Sequence, residues 1–403
     1  MNIVIAAQFL GDIKNPETYN SRFLTIADML VEKGHNVTIA TTNFIHNKKC
    51  HIDGVTSYKK IKVEALNEPG YKKNVCLKRF WSHYVLAKRL KKWLENIEKP
   101  DVIYCAIPSL DFAYEAAKYA KKNNIKFIID IQDLWPEAFE MVFNIPVIKD
   151  IIFYPLRKKA NKVYALADEI VAVSKTYGDR ALKVNKKCKQ AHVVFLGTDL
   201  SKFDNCKEEP VFVKKGNDEI WLGYVGTLGH SYDIKTVIDS LDKLRDREFY
   251  HRLKFIVVGD GPLRDEFEKY ADEKMVNVHF TGMLPYPQMV ATLCKCDIAI
   301  NPIVKNAAQS IINKHADYAA AGIPVISTQE CNEYKELVSL WDMGYNCECE
   351  NIDEIAYRIE QLICSNGELL EKGRNARVCA ENKFNRCSTY EKIIEIVEKK
   401  EVG

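Results

Sequence analysis

Apolar residues arrive in short unbroken runs, separated by stretches in which they recur every three or four positions. NIVIAA (2–7), HNVTIATT (35–42), DVIYCA (101–106), IKFIIDI (125–131), EIVAVS (169–174) and AHVVFLG (191–197) are runs of the first kind. They read as strands buried on both faces. Helical spacing between them predicts helices over 22–34, 111–123 and about 157–167. A second series repeats the plan, with strands at 219–226, 254–259, 277–282, 297–302 and 324–328. Its helices fall at 234–245, 263–273 and 287–294, and a last one ends at Gly322, where Pro324 keeps it from resuming. Strands alternating with helices in this way predict βαβ units on parallel sheets.

The charged, aperiodic stretch 205–218 reads as a linker. It divides an N-terminal domain, 1–204, from a second domain, 205–384, with a final helix at about 385–403 expected to pack back on the first. The predicted fold class is α/β, two Rossmann-like doubly wound domains facing across a cleft. Ligands of such sheets bind outside the carboxyl ends of the strands.

Composition narrows the function. The chain has 403 residues, 47% hydrophobic and 28% charged, with a net charge of +3, which suits two globular domains and does not suggest wholesale nucleic-acid binding. No uncharged apolar run reaches the roughly 18 residues of a membrane span. MNIVIAA lacks a basic leader and a cleavage site, so the expected location is cytoplasmic. The 13 cysteines are scattered without zinc-finger spacing, so reduced thiols and no metal site are expected.

The loops exclude several chemistries. The first strand–helix junction has no G-x-G-x-x-G, and neither a Walker motif nor a G-x-S-x-G elbow is present. Gly259-Asp-Gly261 is a lone G-x-G. Gly226-Thr227-Leu228-Gly229 follows a strand and leads toward a helix; it either turns backbone N–H groups to a phosphate or is simply a turn needing two flexible residues. Gln309-Ser310-Ile311-Ile312-Asn313-Lys314 opens the helix that ends at Gly322, with Ser310 as a natural N-cap. That helix end suits a diphosphate, and Lys314 adds a full charge. One turn deeper, Asp317 is an acceptor-only group able to hold two ribose hydroxyls.

DYAAAGIPVI (317–326), GTLG, VVGDGPLRDEFEKYA (257–271), VHFTGMLPYPQM (278–289) and CDIAINP (296–302) resemble the donor domain of glycosyltransferase family 4. SRFLTIADMLVEKGHNVTIATT (21–42) is similar to that family's first helix and second strand. DIQDLWPEAF (130–139) and LADEIVAVS (166–174) look like the branch with bacterial O-antigen and capsule L-fucosamine transferases. The resemblance covers nearly the whole chain. It implies the two-domain GT-B fold and transfer from a nucleotide sugar, with UDP the first choice of base, with retention of configuration. The acceptor implied is lipid-linked or saccharide, as in surface polysaccharide biosynthesis, and no cofactor or metal is expected. The resemblance implies donor contacts from Gly226–Gly229, Gly259, Met283, Leu284, Gln309–Asn313 and Asp317. Lys314, Gln132 and Asp133 would act at the reacting centre, and Arg22 and Glu137 on the acceptor side.

The chain departs from the family in four places. The usual Glu-x7-Glu is Gln309 and Asp317, a common Arg is Thr227, a Lys position falls near Tyr232–Asp233, and a frequent His is Gln132. Other readings stand beside these. Asp133 also suits a helix cap before Leu134-Trp135-Pro136, Glu137 a first-turn dipole partner, and Arg22 a surface ion pair. A sugar-nucleotide epimerase or hydrolase of the same fold, or a non-catalytic nucleotide-sugar-binding protein, are the alternatives to a transferase. The basic segment 71–99 places Leu77, Phe80, Trp81 and Tyr84 on one helical face, with Lys78 and Arg79 beside them. That face either meets an anionic membrane or forms a buried aromatic cluster.

Overall fold

The computed structural model describes residues 1–11, 13–14, 21–73, 76–137, 146–211, 213–307 and 311–399, of which 146–150 by backbone alone. In chain order the strands of the first half are β1 (Asn2–Ala6), β2 (Asn36–Thr42), β3 (Phe44–Ile45), β4 (Cys50–His51), β5 (Ser57–Tyr58), β6 (Ile61–Leu66), β7 (Val102–Ile107), β8 (Lys126–Ile131), β9 (Glu169–Ala172) and β10 (His192–Val193). Eight of them form one sheet in the order β10-β9-β8-β7-β1-β2-β6-β5, parallel except where β5 folds back on β6. The second half contributes β11 (Ile220–Val225), β12 (Leu253–Val258), β13 (Val278–Gly282), β14 (Ile298–Asn301), β15 (Val325–Ser327) and β16 (Gly344–Asn346). These make an all-parallel sheet, β13-β12-β11-β14-β15-β16.

Each sheet reverses its winding beside its first strand. In the second sheet the chain steps outward from β11 through β12 to β13, then returns to the other side of β11 with β14. The crevice at such a reversal, outside the carboxyl ends of β11 and β14, is where open α/β sheets take ligands. In the first sheet the reversal lies between β1 and β7.

The elements form where the apolar pattern demands. β7 is buried at all six positions and β8 at five of six, as strands covered by helices on both faces must be. Helices Leu77–Leu94, Leu110–Asn123 and Pro146–Leu166 cover one face of the first sheet, and Arg22–Glu32 covers the other together with Glu391–Glu398. The expected strand 191–197 shrinks to β10, and β6 and β16 were not foreseen. β6 reads IKVEAL and is only half buried, so its charged alternate positions disguise it. The helix expected at 157–167 starts at Pro146.

Contacts divide the chain into two units, Met1–Phe195 with the C-terminal segment from Thr389, and Leu196–Ser388. The sequence drew the first boundary at 204/205, in the charged stretch. Leu196–Asp204 instead packs in the second unit, where Thr198 N–H bonds Phe384 O at 2.8 Å and Arg377 clamps Asp204 at 2.8 Å. Among the described residues no helix is long and apolar enough to cross a membrane.

Candidate functional site

In the second unit the reversal crevice is built from two glycine turns and one helix start. Gly226 and Gly259 sit at φ 153 and 146, a backbone region that side chains disfavour. They meet face to face, and a Cβ on Gly259 would overlap the Gly226 carbonyl oxygen. This contact ties the loop after β11 to the loop after β12. The ties consume donors. Gly226 N–H bonds Val258 O and Leu228 N–H bonds Asp260 O, each at 3.0 Å. Of the four amides in the Gly226–Gly229 turn, those of Thr227 and Gly229 have no such bond among the described residues, so half the turn can face an anion.

The helix starts at Asn313, not after Ser310. His315 explains the start. Its Nδ1 accepts the Ile312 N–H at 2.9 Å, which makes it the cap of its own helix and removes that amide from any ligand. Burial, and then the Lys314 charge, lower the His315 pKa to about 3, so the ring is neutral. Neutrality with Nδ1 accepting leaves a proton on Nε2, which faces the Asn301 side-chain amide at 3.2 Å. Asn301 Oδ1 has no partner among the described residues. Asn301 Nδ2 donates to Ser327 Oγ at 3.0 Å and to Gln329 Oε1 at 3.2 Å. Gln309 and Ser310 lie outside the described residues. Ile311 is buried, Asn313 is exposed, and Met283, also exposed, stands with Leu284 in the loop after β13.

Lys314 turns from this helix toward β11. It is 6% exposed, and no acceptor among the described residues lies within hydrogen-bond reach of its Nζ. Instead Nζ lies 4.0 Å from the ring centre of Tyr232 and 4.8 Å from that of Tyr224. Ring faces attract a cation but do not replace its water shell, so burial pushes the Lys314 pKa well down. The sequence placed the family's loop lysine near Tyr232–Asp233, and it is the Tyr232 ring that Lys314 reaches from the helix. Asp233, the neighbouring position, caps helix Ile234–Asp242 through Thr236 N–H at 3.1 Å.

Asp317 is also buried, 5% exposed, and faces helix Tyr286–Leu293. Tyr286 Oη donates to its Oδ1 at 3.3 Å, and Thr198 Oγ1 lies 2.9 Å from the same tyrosine oxygen. Burial raises the Asp317 carboxyl to about 6 against the opposing pull of Arg386, Tyr286 and Thr198. Tyr224, Tyr286, Thr198, Arg386 and the His315–Asn301 pair were all missed from sequence, and Tyr232 was read only as a place where the family's lysine is absent. They lie far along the chain from their partners, and no local spacing announces them.

The first unit treats its candidates differently. Arg22 does not reach outward. It is buried in an ion pair with Asp130 at 2.7 and 3.2 Å, donates to Phe195 O at 3.0 Å and lies over the Tyr390 ring at 4.8 Å. Tyr104 Oη completes the group by donating to Asp130 at 2.7 Å. Asp133 accepts from Leu134 N–H at 2.9 Å and from the Trp135 indole Nε1 at 3.3 Å, bonds within its own turn, and burial raises its pKa. Glu137 pairs with Arg180 at 2.5 Å. Gln132 hangs its N–H on Ile107 O at 3.1 Å, and its buried Nε2 has no partner among the described residues.

At the carboxyl ends of β1, β6 and β7 stands a group that the sequence did not flag. Glu68, fully buried, accepts from Ser82 Oγ at 2.8 Å and Gln8 Nε2 at 3.3 Å, and Ser109 donates to Gln8 Oε1. Arg79, for which the sequence left a membrane-facing and a buried aromatic setting open, is buried under Trp135, Tyr71 and Phe9, with its guanidinium 4.7 Å from the Trp135 ring centre.

Comparison with known proteins accords with this geometry. The family described as Glycosyltransferase Family 4 matches residues 20–202, and that described as Glycosyl transferases group 1 matches residues 219–365. The "uncharacterized glycosyltransferase MJ1069" of Methanocaldococcus jannaschii is 24% identical over 240 residues, 58% of this chain and 59% of that protein. The "putative colanic acid biosynthesis glycosyl transferase WcaI" of Escherichia coli is 24% identical over 283 residues, 65% of this chain and 63% of that protein. The chain thus matches about three fifths of the length of these curated relatives. Among solved structures, Anabaena Alr3699/HepE in complex with UDP superposes with a TM-score of 0.70 at 14% identity, covering 98% of this chain and 99% of that one. WaaG, titled a glycosyltransferase involved in lipopolysaccharide biosynthesis, gives 0.67 at 14% identity, covering 99% of this chain and 100% of that one. The fold is therefore GT-B, and the chain carries a Glycosyltransferase Family 4 domain at 20–202 followed by a Glycosyl transferases group 1 domain at 219–365.

Proposed function

We propose that the chain is a retaining glycosyltransferase that moves a sugar from a UDP-sugar to a lipid-linked or saccharide acceptor in surface polysaccharide synthesis. The single observation that carries the donor half of this reading is Lys314. Among the described residues only ring faces surround its buried Nζ, an arrangement that disfavours the charged form and that a bound diphosphate would relieve. Its place over the rings of Tyr224, near the end of β11, and Tyr232, in the loop that follows, fits that anion. The UDP in the HepE structure supports the choice of nucleotide. Asp317, one turn on, is assigned the ribose hydroxyls.

In the retaining mechanism that the resemblance implies, the departing phosphate takes the acceptor proton on the same face. The protein's part is then to hold developing negative charge and position the acceptor. Lys314 and the turn amides supply the first. Gln132, with its unpartnered Nε2, is assigned to the acceptor or sugar, and Asp133 holds the Gln132–Pro136 turn. The acceptor is proposed to sit at a membrane surface. Leu77, Trp81 and Tyr84 are exposed on helix Leu77–Leu94, with Lys72, Lys73 and Lys78 exposed nearby. Arg79 has no part in this contact because it is buried.

The test is a mass-spectrometric assay of a nucleotide-sugar panel against extracted polyprenyl-linked acceptors. One donor should give an acceptor heavier by one sugar, and transfer should persist in EDTA because Lys314 supplies the cationic charge. Turnover of nucleotide sugar without acceptor would instead mark an epimerase or hydrolase. Tight UDP binding with no turnover would mark a non-catalytic binding protein.

A further inference from the structure

Four basic side chains of the first unit converge on one phenol. His46 and Lys49 lie in the hairpin of β3 and β4 that follows β2, Tyr71 lies in the loop after β6, and Arg79 and His83 lie on helix Leu77–Leu94. His46 Nδ1 is 2.6 Å from Tyr71 Oη and 3.3 Å from Lys49 Nζ, and His83 Nε2 is 3.5 Å from the same tyrosine oxygen. Lys49 Nζ and the Arg79 guanidinium lie 4.9 and 5.5 Å from the Tyr71 ring centre. Trp135, after β8, stacks on His83 with 9° between the rings and also covers Arg79. The loops involved follow parallel strands, so the group stands at the end of the sheet where such folds take ligands.

The charges of the group are out of balance. Burial, and then Lys49 and Arg79, lower His46 to about 4, and burial followed by Arg79 lowers His83 to about 3, so both rings are neutral near physiological pH. Burial also lowers Arg79 and Lys49, and the Arg79 charge lowers Lys49 further. Arg79 sits in the first turn of an 18-residue helix, a turn without an acidic residue, where the helix dipole repels a cation. Glu68 faces the group, 4.0 Å from His83 Nε2. It is already engaged by Ser82 and Gln8, however, and burial raises its pKa, which weakens it as a counter-charge.

An ammonium, a guanidinium and a helix start together call for more negative charge than one carboxylate brings. Phosphate supplies it, and the planar fork of Arg suits phosphate oxygens. Lys49 and His46 are half-buried, so the group is open to solvent on the side of the hairpin.

We infer that this group is a phosphate site of the first unit, and that Lys49 and Arg79 there hold the diphosphate through which a lipid-linked acceptor carries its sugar. The choice of acceptor rests on the transferase reading; the anion site does not. A phosphate-linked acceptor should then be taken in preference to a free saccharide.

The test is calorimetry on the full chain saturated with UDP, so that the donor site is filled. Inorganic pyrophosphate should bind a further site, more weakly at high salt, and farnesyl diphosphate should compete for it. Lys49→Asn removes the charge while keeping a residue that tolerates the φ of 54 at this position, and should weaken pyrophosphate about ten-fold. Arg79→Gln should do the same, with melting followed in parallel because Arg79 is buried. UDP affinity should stay unchanged in both variants, and each should raise KM for the lipid-linked acceptor about ten-fold. No pyrophosphate binding beside UDP, or equal binding by wild type and Lys49→Asn, overturns the site. Pyrophosphate binding that farnesyl diphosphate does not displace would assign the site to free phosphate and overturn the acceptor. Lys49-dependent pyrophosphate binding without transfer to any acceptor would uphold the site and remove the transferase reading.

Discussion

Lys314 and Asp317 stand three residues apart on one helix, and burial perturbs them in opposite senses, taking charge from both. For Lys314 burial lowers the pKa well below its ordinary value, so the empty site disfavours the ammonium form. A diphosphate beside it reverses that preference. UDP binding should therefore take up protons, to a limit of about one per nucleotide, most strongly in mildly alkaline buffer. Calorimetry in buffers of differing ionisation enthalpy reads this directly, and Lys314→Met should remove the uptake and weaken UDP. Binding without proton uptake in wild type would exclude Lys314 as the phosphate ligand. For Asp317 the folded carboxyl, at about 6, exceeds its ordinary 3.8, so the folded state holds more protons than the unfolded between those values. Stability then falls as pH rises through that window, by roughly 3 kcal/mol in all. Asp317→Asn should raise the melting temperature of its unit above pH 6 while lowering UDP affinity by roughly 1.5–3 kcal/mol, the loss of a charge-assisted bond. Equal UDP affinity in mutant and wild type would take Asp317 out of the donor site. Both residues were named from the sequence, although the cap assigned there, Ser310, is not the start of the helix, which begins at Asn313. Their tyrosine partners were not, since Tyr224 and Tyr286 arrive from strand and helix elements far along the chain. Arg79 was left undecided for a related reason. Periodicity gives a face of a helix, but not the loops carrying Phe9, Tyr71 and Trp135 that fold over it.

At the scale of elements, the two glycine turns do what neither strand nor helix does alone. β11 and β12 are paired along their length, yet the loops beyond them would diverge without the contact between Gly226 and Gly259. Gly259→Ala needs both a disfavoured φ and displacement of the Gly226 carbonyl, so the Gly226–Gly229 turn must move. UDP affinity should drop at least ten-fold, with a loss of roughly 1–3 kcal/mol in unfolding free energy. Retention of full affinity would mean that the turn amides do not contact nucleotide. The parallel sheets themselves were readable because β7, β8 and β12 are nearly continuous apolar runs. β6 was not, because charged residues at alternate positions break its apolar run, and β16 was not, because three residues at a sheet margin are too short to show a period. The anion-binding turn was half readable. Its glycines showed in the sequence, but not the capture of two of its four amides by neighbouring strand ends.

At the scale of the molecule, the first unit is assembled from two separated pieces of chain. Ile393, Ile394 and Val397 of helix Glu391–Glu398, with Tyr390, are fully buried in the core that Arg22–Glu32 shares with β1 and β2. Each contributes about 1.5–3 kcal/mol by burial. Ending the chain at Ser388 should therefore lower the melting of the first unit sharply and leave the second. The two are told apart by UDP, which should raise only the transition of the Leu196–Ser388 unit. A truncation that lowers the UDP-sensitive transition instead would contradict this division.

The same feature bears on biosynthesis. A polypeptide emerges from the ribosome in order, so the sheet containing β1 is made long before the helix that covers one side of it. The Leu196–Ser388 unit, being continuous, is synthesised complete during that interval. Ile3, Ile5 and Ile26 meanwhile wait without their final apolar cover. The part made first is thus finished last, and during translation its open face is where nascent chains of this protein are most exposed to chaperones and to one another.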